Sequence, residues 1–198
     1  MIVDVERAAR CLEAGEVVAY PTETVYGLGV DSGSRRGLER LSALKGRSAG
    51  RAYSVLVADM EDLERYVPEL PNPVRELVGS FWPGPLTLVL PCAAPELEAV
   101  ASSSGVGFRC SPHPSARALA RRSARPVVST SCNRSGAEPC RRPEEVEAAF
   151  GCELPVLEGD PSGEAQPSTV VAIDAQARPR LLREGSIAYS RILERLAA

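Results

Sequence analysis

At 198 residues, with 44% hydrophobic and 25% charged side chains and a net charge of −3, the chain has the make-up of one globular domain. That balance excludes nucleic-acid binding by bulk positive charge, and no apolar run approaches the ~20 residues of a membrane span. The opening "MIVDVERAAR" lacks the basic-then-apolar order of a signal peptide, so a cytoplasmic protein with a single domain over residues 1–198 is expected. Val5, Ala8, Ala9 and Leu12 fall at helical spacing within residues 4–14, and Gly15 closes that helix. "EVVAY" (16–20) reads as a short buried strand and "PTETVYGLG" (21–29) as a loop behind it. Leu38, Leu41 and Leu44 share one face of a helix over 34–46 that ends in Lys45-Gly46. "YSVLVA" (53–58) predicts a strand, and residues 59–67 a helix with Asp59 as N-cap. A helix over 72–82 stops at "PGP", strands follow at 86–91 and 106–110, and a helix lies around 115–123. "PVVSTS" (126–131) is a strand running into a polar loop, and Pro143, Glu144 and Glu145 start a helix whose acidic first turn suits the dipole. "ELPVLEG", "STVVAI" and "PRLLRE" add strands, residues 158–168 form a polar loop, and 188–197 a last helix. This irregular alternation predicts an α/β fold, a twisted open mixed sheet with helices on its faces.

Polar segments beside these strands carry the chemistry. They are "PTETVYGLG", "KGRSAGR" with Lys45, Arg47 and Arg51, Arg109 at the end of "VGFR", "STSCNRSG" (129–136), "PSTVV" (167–171), and Arg183 in "LLREG". Loops at strand ends line the ligand crevice of open α/β sheets, and these cations and hydroxyls suit a ligand bearing several phosphate or carboxylate groups. Of 23 basic residues 22 are arginine, which makes the single lysine, Lys45, conspicuous; a cation at a helix C-terminus is its plainer explanation. His113 is the one histidine, which excludes a multi-histidine metal site and leaves it, between two prolines, as a loop residue. The six cysteines form no C-x-x-C pair and read as reduced, buried small groups. There is no Walker-type phosphate loop, and "GLGVDSG" does not fit G-x-G-x-x-G. "FWPGPLTLVL" is a helix stop followed by a core strand, and "STS" and "PST" fit turn chemistry. Residue chemistry by itself leads to an oxyanion-binding α/β domain.

Taken in order, these segments resemble the YrdC-like family of threonylcarbamoyl-AMP synthases, over about residues 5–187. "PTETVYGLG" looks like that family's N-terminal signature, "KGR" (45–47) its K-x-R element and "SCN" (131–133) its S-x-N element, with "FWPGPLTLVL", "VGFR…HP", "STVV" and "LLREG" in their expected places. The resemblance implies a deep, positively charged cleft and a reaction that joins L-threonine, bicarbonate and ATP into threonylcarbamoyl-adenylate and pyrophosphate. The product would pass to a separate tRNA threonylcarbamoyl transferase that modifies the adenosine beside the anticodon, with at most weak tRNA contact by this chain. Carried over by position, Thr24, Arg109 and Ser168 would hold threonine. Lys45, Arg47, Arg51, Ser131, Asn133 and Arg183 would hold ATP, with Lys45 and Arg47 catalytic. Mg²⁺ is expected on the phosphates, held largely by them and by water rather than by protein ligands. The chain resembles the short form, without the extra C-terminal domain of some members.

It departs from the family in Arg51 for a lysine, Ala52 for a proline, Ser111 for a proline, Ala172 for an aspartate and Cys132 for an alanine. Thr22 and Tyr26 are expected as pocket walls. Glu23 is left with three readings: a solvated carboxylate, a partner for a site arginine, or an indirect Mg²⁺ contact. Two rival functions are an RNA-binding or ribosome-associated module and a carbamoyl-adenylate enzyme of metal-cofactor assembly. An aromatic content of 5% counts against the first. Zinc-finger elements and a much longer chain, absent here, count against the second.

Overall fold

Ten strands form one sheet in the computed structural model, which describes residues 1–46, 53–159, 161 and 166–197. In chain order they are β1 (Ile2–Val3), β2 (Val18–Tyr20), β3 (Gly27–Asp31), β4 (Ser54–Leu56), β5 (Leu86–Leu90), β6 (Val106–Arg109), β7 (Val127–Ser131), β8 (Val156–Leu157), β9 (Thr169–Ile173) and β10 (Pro179–Arg183). The helices are α1 (Val5–Glu13), α2 (Arg35–Lys45), α3 (Met60–Glu64), α4 (Asn72–Phe81), α5 (Pro114–Arg122), α6 (Pro143–Phe150) and α7 (Tyr189–Ala197), with a 3-10 turn at Pro95–Val100. The strand order is β1-β8-β2-β3-β7-β4-β6-β5-β9-β10. Pairs β1/β8, β8/β2, β4/β6 and β5/β9 are parallel and the other neighbours antiparallel, so the sheet is mixed, as expected from the sequence.

Strand alternation divides the sheet into two unlike faces. Leu28, Val55, Leu88, Phe108, Val128 and Val171 point to one side, where Leu41 of α2, Leu77 of α4, Val146 of α6 and Ile192 of α7 close over them. Each is fully buried, a placement that stabilises by ~1.5–3 kcal/mol per large aliphatic or aromatic side chain. The opposite face is covered only in part. There α1 and α5 lay Ala8, Cys11, Leu12, Ala116 and Leu119 on Val18, Tyr20, Leu56 and Val127. The rest of that face presents glycines, serines and threonines toward β3, β7, β4 and β6, and arginines and valines toward β10.

Local sequence sets the helix ends. Asp4 accepts from Arg7 N at 2.8 Å, Ser34 from Gly37 N at 3.1 Å and Asp59 from Asp62 N at 3.0 Å, three N-caps of the preferred kind. Gly46 ends α2 in the left-handed region at φ 64°. His113 lies in the loop before α5, as expected, and also serves as that helix's N-cap: it is buried and its Nδ1 accepts from Ser115 N at 3.2 Å.

Several boundaries differ from the sequence expectation. β1 has no counterpart there, because two residues are too few to show a pattern; its pairing with Val156 and Leu157 is a tertiary event. The helix expected over 59–67 is a single stretch at Met60–Glu64. Of the polar stretch 158–168, residues 160 and 162–165 lie outside the described residues, as do 47–52. The second half of "PTETVYGLG" is not loop: Gly27 to Gly29 open β3 and pair with Tyr20 and Val18. These glycines answer a strand constraint, because a Cβ on Gly27 would stand 2.7 Å from Tyr20 Cζ and one on Gly29 3.1 Å from Tyr20 Cε1.

The Tyr20 ring is fully buried and its hydroxyl bonds Ser129 Oγ, so it has no free direction in which to yield. Gly27→Ala is therefore expected to destabilise the fold by ~1–3 kcal/mol in chemical denaturation. Gly79→Ala, in an exposed turn of α4 with no atom within 4 Å of the added Cβ, is expected to stabilise it by ~0.5–1 kcal/mol.

Candidate functional site

The bare part of the second face is the floor of a cavity of about 1030 Å³. Registered residues on neighbouring strands share a face, and two such rows build the floor. The first runs Gly29, Ser129, Ser54, Gly107, Val89, Ala172, Arg180 across β3, β7, β4, β6, β5, β9 and β10. The second runs Arg109, Thr87, Val170, Arg183. The first row starts with four small residues; Tyr20 lies over Gly29, while Ser129, Ser54 and Gly107 lack the volume to fill the space above the sheet and so leave the cavity.

Over this floor folds the loop at 21–26. Thr22 Oγ1 donates to Val25 O at 2.6 Å and accepts from Thr24 N and Val25 N at 3.2 and 3.3 Å, which fixes the turn. The turn sets Thr24 Oγ1 to accept from Arg109 Nη2 at 3.0 Å, and the same Nη2 lies 2.5 Å from Glu23 Oε1. Ser111 Oγ donates to the other oxygen of Glu23 at 2.6 Å. The pair is largely buried, at 15% and 11% side-chain exposure for Arg109 and Glu23. Of the readings left open for Glu23, partnership with a site arginine is observed and full solvation is not, and Ser111, a departure from the family pattern, adds a second donor to the carboxylate. Arg109 Nε, buried, has no partner among the described residues. The guanidinium thus keeps donor capacity beyond its carboxylate, a fit for an anionic ligand group.

Ser168 lies beside this cluster, its Oγ 2.9 Å from Thr87 Oγ1. Arg183 Nη2 donates to Ser168 O at 2.8 Å and to Ser168 Oγ at 3.1 Å. A β-bulge aims Arg183: the register passes from Leu181 opposite Val171 to Arg183 opposite Val170, so Leu182 is the extra residue. Leu181 faces the core, while Arg180, Leu182 and Arg183 all line the cavity. Burial, and after it the charge of Arg109, lower the pKa of Arg183, so these guanidinium groups repel and an anion between them is favoured.

On the β7 side, Lys45 reaches across from the last turn of α2. Its Nζ donates to Ser131 O at 2.6 Å and to Asn133 Oδ1 at 2.7 Å, with Ser131 Oγ at 3.4 Å. Ser131 Oγ also donates to Asn133 Oδ1 at 2.6 Å, and Asn133 Nδ2 to Ala137 O at 2.6 Å. Lys45 is therefore more than a helix-end cation: at 2% exposure it ties the K-x-R and S-x-N segments, 86 residues apart, into one unit. Ser131 and Asn133 line the cavity and Lys45 stands behind them. Arg47 and Arg51, expected beside Lys45, lie outside the described residues.

The structure brings Thr24, Arg109, Ser168 and Arg183 together on one side and Lys45, Ser131 and Asn133 on the other. Thr22 and Tyr26 line the wall as expected. Sequence reasoning missed Thr87, Ser54, the turn at 102–105, Arg180 and Leu182. Thr87 had a signal, a hydroxyl inside the apolar run "LTLVL"; the others depend on register. All six cysteines are free, but Cys152 is exposed and Cys92 half-buried, so the expectation of uniformly buried thiols fails for those two. Cys132 is fully buried, and the Cys140 thiol beside it together with burial pushes its pKa up, which keeps it a neutral small group.

Because Arg109 is the charge that Glu23 neutralises, the two should be strongly coupled. Glu23→Ala is expected to lower stability by ~2–4 kcal/mol by leaving a buried cation uncompensated. The double variant Glu23→Ala/Arg109→Ala should recover ~1–3 kcal/mol of the summed losses in a denaturation cycle. Additive losses would mean that the pair does not act as a unit.

Known proteins share this fold. A model of the Sua5/YciO/YrdC family, described as "Telomere recombination", matches residues 10–185. The threonylcarbamoyl-AMP synthase of Yersinia enterocolitica is 41% identical over 165 residues, covering 81% of this chain and 86% of the relative. That of Yersinia pestis is 40% identical over 164 residues with the same coverage. Among solved structures, P. abyssi Sua5 complexed with L-threonine superimposes with a TM-score of 0.85 at 31% identity, over 98% of this chain and 60% of the Sua5 chain. This chain therefore spans less than two thirds of Sua5. E. coli YciO shares the fold, with a TM-score of 0.83 at 23% identity and 97% of each chain covered. The family model and the breadth of these matches agree, and the chain belongs to the Sua5/YciO/YrdC family.

Proposed function

We propose that the chain condenses L-threonine, bicarbonate and ATP into threonylcarbamoyl-AMP, pyrophosphate and water. The observation that carries this reading is the pairing of two chemically different clusters over one small-residue floor, in a chain 41% identical to a threonylcarbamoyl-AMP synthase. Thr24, Arg109 and Ser168 would grip threonine, its carboxylate taking the donors that Arg109 does not spend on Glu23. Lys45, Arg47, Arg51, Ser131, Asn133 and Arg183 would hold ATP, Lys45 and Arg47 being the groups closest to the chemistry. The P. abyssi Sua5 structure is a complex with L-threonine, which supports the threonine assignment by likeness.

The reaction suits these residues. The threonine amine attacks bicarbonate, water leaves, and a carbamate oxygen then displaces pyrophosphate from the α-phosphorus. Holding reactants in line and neutralising developing charge contributes more to such a step than a protein base does. The one histidine, committed to capping α5, is not asked to act. Mg²⁺ would enter with ATP and screen its phosphates. Phosphate oxygens and water would be its main ligands. The product would go to a separate tRNA-modifying transferase. No helix of the described residues is long and apolar enough to cross a membrane.

Incubation with ATP, Mg²⁺, bicarbonate and L-threonine should yield threonylcarbamoyl-AMP and pyrophosphate by mass spectrometry. Product that is absent or independent of threonine would refute the reading. Lys45→Ala is expected to cut turnover by at least ~100-fold with an unchanged circular-dichroism spectrum. Arg109→Ala should raise the KM for threonine by ~10-fold or more while the KM for ATP stays within a small factor.

A further inference from the structure

Two of the buried cysteines form a pair for which the proposed reaction has no use. Cys140 N donates to Cys132 O, Cys132 N to Tyr26 O and Tyr26 N to Cys140 O, each at 2.8 Å, so three segments are laced together beside the cavity wall. Backbones joined in this way stand roughly 5–6 Å apart at Cα, inside the ~4.4–6.8 Å that a disulfide spans. The side chains meet as well: the Cys132 thiol donates to the Cys140 sulfur. Both belong to the main core cluster, Cys132 fully buried and Cys140 6% exposed. Cys132 is a departure from the family pattern, and the usual alanine would leave Cys140 without a partner thiol.

The two thiols differ in reactivity. The hydrogen bond from Cys132, with a smaller contribution from the charge of Lys45, holds the pKa of Cys140 below the ordinary thiol value, against burial and the charge of Glu145. Burial instead raises Cys11, Cys92 and Cys110. The thiolate is the attacking form, so Cys140 is the nucleophile of the pair and Cys132 the thiol that resolves. Cys140 follows Glu138 and Pro139, which line the cavity, and this gives an oxidant as small as hydrogen peroxide an approach to it.

We propose that Cys132 and Cys140 are a redox pair that a hydroperoxide converts into a disulfide, and that this bond disables the Lys45 side of the site. The Cys140 thiolate attacks hydrogen peroxide: an S–O bond forms, the O–O bond breaks, and the leaving hydroxide takes up the thiol's proton as water. Cys132 then gives up its own proton and attacks the sulfenic sulfur; the S–S bond forms and a second water leaves. The two thiols lose two electrons, and the peroxide is reduced to two waters. The effect on the site follows from position. Cys132 lies between Ser131 and Asn133, whose oxygens accept from Lys45 Nζ at 2.6 and 2.7 Å, and Ser135 N donates to Lys45 O at 2.9 Å. Bond formation draws the sulfurs from hydrogen-bond contact to ~2 Å, and a close-packed interior passes that movement to the residues on either side.

Mass spectrometry of the full chain tests the pair, independently of the synthase reading; calorimetric titration with ATP tests its effect, which rests on that reading. After hydrogen peroxide and alkylation, trypsin cuts at Arg134 and separates the two cysteines, so the bond shows as a linked peptide pair that dithiothreitol releases. The oxidised chain should bind ATP at least ~10-fold more weakly than the reduced chain, and dithiothreitol should restore the affinity. Cys132→Ala should bind ATP like the reduced wild type, keep that affinity in peroxide, and trap a sulfenic acid on Cys140 that dimedone labels. Absence of the linked pair when the exposed Cys152 is already oxidised overturns the proposal. So does a linked pair with unchanged ATP affinity, or an equal loss of affinity in oxidised Cys132→Ala, which would place the damage elsewhere. A chain that forms the pair and loses ATP on oxidation, yet makes no threonylcarbamoyl-AMP when reduced, refutes the synthase reading and supports the switch.

Discussion

One constraint shapes the molecule: a row of side chains too small to be covered. Ser129, Ser54 and Gly107 lie in register across β7, β4 and β6 and line the cavity. A sheet of this kind normally buries both faces. Here stability is concentrated on the opposite side, where Leu28, Val128, Val55, Phe108 and Leu88 are fully buried under α2, α4, α6 and α7. The helices α1 and α5 cover only the part of the second face that carries Val18, Leu56 and Val127. Tyr20 marks the border. Its ring lies over Gly27 and Gly29, and burial drives its pKa to about 12, so its hydroxyl stays protonated and bonded to Ser129.

The charges follow from that architecture. Arg109 and Arg183 project over the floor from the same cross-strand row, and Glu23 is the carboxylate bonded to one of them. Arg183 is held by the carbonyl and hydroxyl of Ser168, and Lys45 bonds Ser131 and Asn133. Arg183 thus rests on neutral acceptors close to Arg109, a placement that favours an anionic ligand group between them. Sites that break local rules in this way are where function is found, since the surrounding core must offset them. It also argues against an open RNA-binding surface. The cations converge on a cavity floored by small residues, whereas single-stranded RNA is gripped by stacking aromatics, which account for 5% of this chain.

The periodic parts are the ones legible in the sequence. Helices such as α1 and α2 and strands such as β5 and β7 follow from hydrophobic spacing and caps, and the mixed α/β class follows from their alternation. The site segments stand out as polar stretches next to apolar runs, and the family likeness orders them. Register is not legible. That Arg109 and Arg183 share a row across β5 and β9, or that Ser54 and Gly107 share a floor, depends on pairings between residues far apart in the chain. The bulge at Leu182 is hidden for the same reason, because simple alternation along β10 gives no hint of an extra residue. "PTETVYGLG" answers to its reading as a loop only in its first half: its hydroxyls do shape a pocket wall, but its glycines belong to a strand, where they make room for Tyr20 and Gly27 also lines the cavity.

Ser111 shows how a departure from a family pattern can be absorbed without loss. A proline there would leave one oxygen of Glu23 without its donor; the serine supplies a hydroxyl at 2.6 Å and accepts from His113 N at 3.1 Å. Ser111 thus links the carboxylate that neutralises Arg109 to the residue that caps α5. That connection runs from the helix covering the second face, through a cap and a hydroxyl, to the guanidinium over the cavity. Arg109 is therefore oriented by the same elements that leave the floor beneath it bare. On the synthase reading, the threonine end of the site is pre-formed by the fold, and binding there does not have to meet the cost of ordering it.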